Sequence, residues 1–183
     1  MVSQSPLSHI SVVLVRPRQP ENVGFVARAI ANFGLGPLVL VNPQTFDPER
    51  ARWAAPGARE VINQARIVGT VSEAVAGVTQ VFGTTARERR LEQACWGPEF
   101  LARSLIEEPR PSAILFGPED SGLQNEEIAC CRALISIPTT TETRSLNLAQ
   151  AVTSLCTILR QESLTSEPED HPPVPFPNMV LQE

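Results

Sequence analysis

Short apolar runs alternate with stretches of helical spacing along most of this chain, and that alternation leaves few folds open. Residues 10–15, 38–41, 80–84, 112–116 and 133–137 read as strands, with 66–69 a shorter candidate. Residues 22–33, 48–55, 72–76, 99–107, 125–131 and 147–162 read as helices. Strands this continuously apolar are buried on both faces, so the pattern predicts an α/β fold: a parallel sheet flanked by helices. Gly34 or Gly36 is placed to close the first helix in a left-handed cap, and Ser72 to cap the third.

The 183 residues suit one domain with a full core. We assign it to 1–163. From Leu164 onward the composition turns to Ser, Pro, Glu and Asp, so 164–183 reads as a Pro-rich acidic tail or linker. The formal charge of −5 belongs to that end: Glu162, Glu167, Glu169, Asp170 and Glu183 stand there with no arginine. The other fifteen acids match all fifteen arginines, so the folded part is neutral. No apolar run has the length of a membrane span and no signal-peptide pattern opens the chain, which points to the cytoplasm. Cys95, Cys130, Cys131 and Cys156 show no metal-ligand spacing; a reduced setting and no metal are expected, with Cys130 and Cys131 packing on a helix.

The inventory restricts the chemistry. There is no lysine, and of the two histidines His9 precedes the first strand while His171 lies in the tail. A lysine base is excluded and a histidine base disfavoured. No glycine-rich dinucleotide or P-loop fingerprint is present. Instead, three motifs each follow an apolar run. Asn22-Val-Gly-Phe-Val-Ala-Arg28 opens the first helix, Phe116-Gly-Pro-Glu119-Asp-Ser-Gly122 follows a strand, and Arg144-Ser145-Leu-Asn147-Leu-Ala precedes the last helix. Strand-to-helix turns are where open α/β sheets place ligands, so three in series predict one composite pocket. Each motif also has a plain structural reading. Asn22 could cap its helix, Glu119 could sit in a solvated turn, and Asn147 with Gln150 fits a capping box.

In order and spacing, the three motifs resemble those of SPOUT-class (SpoU-type) RNA 2′-O-ribose methyltransferases. The likeness is strongest to the TrmJ-like tRNA (cytidine/uridine-2′-O)-methyltransferase branch. It runs from Ile10 to about Arg160 and includes Val41-Asn-Pro43 and Gly83-Thr-Thr-Ala-Arg87. The resemblance implies a C-terminal trefoil knot, S-adenosylmethionine held in it, and a homodimer acting on tRNA, at the anticodon-loop cytidine or uridine 32. It implies catalytic roles for Arg28, Glu119, Ser145 and Asn147. Thr84, Thr85, Gly117, Glu119, Ile137, Ser145, Leu146 and Asn147 would contact the cofactor. Asn22, Arg16, Arg18, Arg87, Arg89 and Arg90 are the candidates for RNA contact. Members of this branch carry a further helical segment that helps hold tRNA, and the Pro-rich tail stands where it would begin. Other readings stay open: the same chemistry on rRNA or another tRNA site, a catalytically silent RNA-binding relative, or a small-molecule-binding α/β protein.

Overall fold

The computed structural model describes residues 5–86, 93–140, 142 and 145–165. Its centre is a seven-stranded sheet in which every pairing is parallel, in the order β3-β2-β1-β6-β4-β7-β5. The strands are β1 (Ile10–Val15), β2 (Leu38–Val41), β3 (Arg66–Val68), β4 (Gln80–Thr84), β5 (Ala94–Trp96), β6 (Ser112–Phe116) and β7 (Ala133–Ile135). All four residues of β2 and all five of β6 are buried, as central strands covered on both sides must be. The edges differ: Arg66 and Ile67 on β3, and Ala94 and Cys95 on β5, are exposed. At three residues and mostly exposed, β5 is too short an apolar run to stand out, and the sequence reading missed it.

Side-chain alternation splits the core in two. Val12 and Leu14 of β1 face a large cluster that also holds Ile30, Phe82, Leu101, Leu105, Val152, Leu155 and Leu159. That side carries α1 (Pro20–Phe33), α2 (Pro48–Trp53), α3 (Arg59–Asn63), α5 (Pro98–Glu107) and α7 (Leu148–Thr165). Val13 and Val15 face a smaller cluster with Ala74, Leu115, Leu123, Ile128 and Cys131, covered by α4 (Val71–Ala74) and α6 (Asn125–Ala129).

Helix ends follow local chemistry. Pro20 occupies the first turn of α1, where its missing N–H costs nothing, so the helix starts two residues before Asn22. Asn22 therefore lies inside α1 and caps nothing. Gly34 closes the helix at φ 72°, its N–H donating to the Ile30 carbonyl, as one of the two expected glycines. Thr70, not Ser72, caps α4 by accepting from the Glu73 N–H. Helix α7 runs to Thr165, two residues past the boundary placed at 163. A Cβ at Gly24 would lie 2.2 Å from the Ala51 carbonyl oxygen, so glycine there lets α1 and α2 approach.

Candidate functional site

The carboxyl ends of β6, β4 and β7, three neighbours in the sheet, open onto a cavity of about 660 Å³. Thr84, Thr85 and Ala86 line it from β4, residues 116–123 from β6, and Ile135 and Ile137 from β7. Ser145, Leu146, Leu148 and Ala151 close it from the start of α7, and Ile128 from α6. Seven of the eight residues expected at a cofactor are in this lining: Thr84, Thr85, Gly117, Glu119, Ile137, Ser145 and Leu146. The eighth, Asn147, stands beside it.

The loop after β6 is folded tightly on itself. A Cβ on Gly117 would meet Leu123 N and the Gly122 carbonyl carbon, each at 2.3 Å, so only glycine permits this turn. Gly122 itself has φ 69°. The Thr84 hydroxyl donates to the Leu115 carbonyl at 3.0 Å, tying β4 to β6 under the cavity.

One chain of side chains joins the three motifs. Asn147 Nδ2 donates to Asn22 Oδ1 at 3.2 Å, and Asn22 Nδ2 donates to Glu119 Oε1 at 2.6 Å. Asn22 is only 4% exposed, which suits a positioning group and not a direct contact to RNA. Asn147 also caps α7: its Oδ1 accepts from the Ala149 N–H at 2.9 Å, while Gln150 Oε1 accepts the Asn147 N–H at 3.2 Å. The capping reading of Asn147 is thus realised, and the same side chain also bonds to Asn22. The second carboxylate oxygen of Glu119, Oε2, is buried and has no hydrogen-bond partner. A buried charged acceptor left bare in the protein alone is costly and marks a place where a ligand donor fits.

Arg28 is exposed on α1, between the buried Ala27 and Ala29. Among the described residues it has no ion-pair or hydrogen-bond partner, and Glu119 accepts its bond from Asn22. Ser145 is exposed at the cavity rim. The arginines proposed for RNA divide. Arg16 is paired with Glu127 through both its Nη atoms and so is already engaged inside the fold. Arg18 meets Asp120 at 2.7 Å, but both side chains are about half exposed. Arg87, Arg89 and Arg90 lie outside the described residues. Burial pushes the Cys131 and Cys156 thiols up to about 12 and raises that of Cys130 as well. Cys130 and Cys131 Sγ both donate to the Glu127 carbonyl just past the end of α6; Cys131 is buried in the smaller cluster, while Cys130 is exposed and does not pack as expected. Among the described residues no group of three metal-ligating side chains assembles, and no helix is long and apolar enough to cross a membrane. The pairing of Arg16 with Glu127, 111 residues apart, and the bare Glu119 oxygen had no signal in the sequence.

A cavity of mixed polar and apolar lining at parallel strand ends, flanked by a chain of amides and a carboxylate, is where α/β folds hold a small organic ligand beside a polar one. The chain belongs to the SpoU rRNA Methylase family, whose model matches residues 9–157. It is 40% identical over 164 residues to the tRNA (cytidine/uridine/adenosine-2′-O-)-methyltransferase TrmJ of Pseudomonas aeruginosa (strain UCBPP-PA14). That match covers 88% of this chain and 64% of the Pseudomonas protein, so the chain spans less than two thirds of that relative. The crystal structure of TrmJ from Z. mobilis ZM4 superposes with a TM-score of 0.79 at 40% identity, over 90% of this chain and 72% of the other. The AdoMet-bound rRNA methyltransferase from Sinorhizobium meliloti superposes with a TM-score of 0.65 at 26% identity, covering 83% and 56%.

Proposed function

We propose that this protein transfers a methyl group from S-adenosylmethionine to a ribose 2′-hydroxyl of tRNA. The observation that carries the reading is the Asn147–Asn22–Glu119 chain, which ends in a bare carboxylate oxygen on the cavity wall. The names of the relatives point the same way.

The cavity suits the donor. Its volume lies within the range of about 300–1,000 Å³ usual for organic ligands. The Gly117 turn leaves backbone bare where a Cβ would obstruct, and Glu119 Oε2 offers an acceptor for a hydroxyl or ammonium. The residues that would hold it are Thr84, Thr85, Gly117, Ile137 and Leu146, largely by backbone and apolar contact, with Glu119 and Ser145 at the polar end. When bound, the donor supplies an electrophilic methyl on a sulfonium. The protein's own task is alignment, because holding two reactants in line can supply about 7–11 kcal/mol of a bimolecular barrier. Asn22 and Asn147 fix Glu119 from α1 and α7, so the carboxylate keeps one orientation as the substrate arrives.

Arg28 is the group left free to meet the RNA. A guanidinium with a pKa above about 12 is a poor proton acceptor near neutrality. Its role is to grip the phosphate next to the target ribose and to stabilise charge developing on the 2′-oxygen as the hydroxyl proton passes to solvent water. Ser145, exposed at the rim, contacts the ribose. Arg18, and Arg87, Arg89 and Arg90 from outside the described residues, extend the phosphate contacts. The proposal includes a homodimer and a trefoil knot. Phe25, 51% exposed on the helix that carries Arg28, supports the first. The second is supported by the place of β7 between β4 and β5, followed by α7 packing back on α1 and α5.

Nucleoside mass spectrometry of tRNA and rRNA, after incubation with the protein and labelled donor, tests the reading. We expect 2′-O-methylated pyrimidine in tRNA, with the anticodon-loop nucleotide 32 the first site to map. Donor binding without label in any RNA would overturn it. Label confined to rRNA would move the same chemistry to another substrate.

A further inference from the structure

Arg16 breaks a backbone rule. It follows the last residue of β1 and has φ 48°, a left-handed conformation that a long side chain rarely adopts. Its N–H is fixed by the Val41 carbonyl at 2.8 Å. The side chain pairs with Glu127 on α6, with Nη1 meeting Oε1 and Nη2 donating to Oε2 at 3.1 Å. Both side chains are largely buried, Arg16 at 19% and Glu127 at 10% exposure. Glu127 Oε2 also accepts the Gln124 N–H at 2.7 Å, closing the capping box that starts α6.

This pair backs the cavity. Leu123, just before Gln124, and Ile128, just after Glu127, are both in the lining. The segment from Gly117 to Cys131 contains one helix of five residues, too short to hold itself in place. Its links to the rest of the fold include the apolar contacts of Leu123, Ile128 and Cys131, the Asn22–Glu119 hydrogen bond and the half-exposed Arg18–Asp120 pair near its start, and, at α6 itself, this largely buried ion pair to the end of β1. A buried pair of this kind gives little net stability, but it fixes one geometry, and loss of either partner leaves a charge stranded.

We propose that Arg16 and Glu127 are positioning residues for the cavity: their ion pair holds α6 and the loop before it as the wall against which the methyl donor packs. The inference rests on the donor-pocket reading above. Neither residue touches the donor. The left-handed backbone of Arg16 is retained because it aims the guanidinium at α6.

Arg16→Gly is the informative variant, since glycine relieves the backbone strain while deleting the clamp. Glu127→Gln removes the charge and keeps an oxygen for the Gln124 N–H. Two readouts apply: calorimetric binding of S-adenosylhomocysteine, and hydrogen exchange of the ligand-free protein. Each single variant should weaken binding by about tenfold, and the double variant no further than the weaker single, because the two act as one unit. Exchange should quicken across 123–131 but not across 148–159. Arg16→Lys should recover part of the affinity. Unchanged affinity in Arg16→Gly would overturn the proposal, as would exchange that quickens evenly over the whole sheet. So would weaker tRNA binding with donor affinity and exchange unaltered, which would return Arg16 to the RNA surface. Should the parent protein itself fail to bind S-adenosylhomocysteine, the donor-pocket reading falls, while the exchange pattern still decides whether the pair holds α6.

Discussion

The two sides of the sheet meet at the same cavity but are built differently. On one side, the 14-residue α1 and 18-residue α7 pack together and deliver Asn22, Arg28 and Asn147. On the other, the five-residue α6 and the folded loop before it deliver Leu123 and Ile128. Arg28 and the two amides that fix Glu119 ride on or directly before long helices with deep apolar faces, where position is stiff. Surfaces that must close around a ligand come from short segments held by caps, close backbone contacts and a few polar links to β1 and α1, of which only the Arg16–Glu127 pair is a largely buried ion pair. Such segments open at lower free energy than the core they rest on.

Arg28→Ala tests the stiff side hardest. Methyl transfer should fall on the order of a thousandfold, with donor affinity unchanged, because the residue is outside the cavity lining. Single-turnover kinetics beside calorimetry would separate the two, and a loss of donor affinity would put Arg28 on the wrong side of the comparison. Stability gives the next contrast. Leu155, 1% exposed under α7, should cost about 3 kcal/mol when cut to alanine. Ile128→Ala, beside space that is already open, should cost about half as much. Equal shifts in a urea titration would mean that the two sides are equally rigid. Gly117→Ala acts on the short side alone. Its Cβ would strain the loop by about 1–3 kcal/mol, so donor affinity should drop on the order of tenfold. Retained affinity would show that the loop yields easily. Arg18→Ala should have the smallest effect. Its half-exposed pair with Asp120 contributes within about 0.5 kcal/mol, so the melting temperature should hardly move. The slope of log tRNA affinity against log salt should flatten by about 1. An unchanged slope would make Arg18 ordinary surface charge.

The stiff side was the more legible in the sequence. The inner strands announced themselves as apolar runs, and Gly34 and the Asn147–Gln150 pair gave helix ends that the structure reproduces. Two of the three motifs, the one after β6 and the one before α7, supply ten of the eighteen lining residues, while the first meets them only through Asn22. Signals failed where tertiary contact decides. Asn22 looks like a cap until Pro20 is seen to start the helix. Ser72 and Thr70 are equally good caps in sequence, and only the backbone at Thr70 is extended. Strand β5 exists because β7 offers it an edge, not because Ala94-Cys-Trp96 demands it. Arg16 reads as a surface cation beside Arg18, and nothing local reveals a carboxylate 111 positions away.

The bond between Asn22 and Asn147 spans 125 residues of chain. During synthesis the first helix leaves the ribosome long before its partner exists, and Glu119 emerges with only one of the two amides in its hydrogen-bonded chain. A nascent chain can form β1, α1 and β2 early, yet the finished carboxylate geometry must wait for the start of α7. Contacts of such long range are slow to form and late to appear. The ability to hold a donor therefore arrives last, and ligand binding would serve as a report that the chain has closed completely.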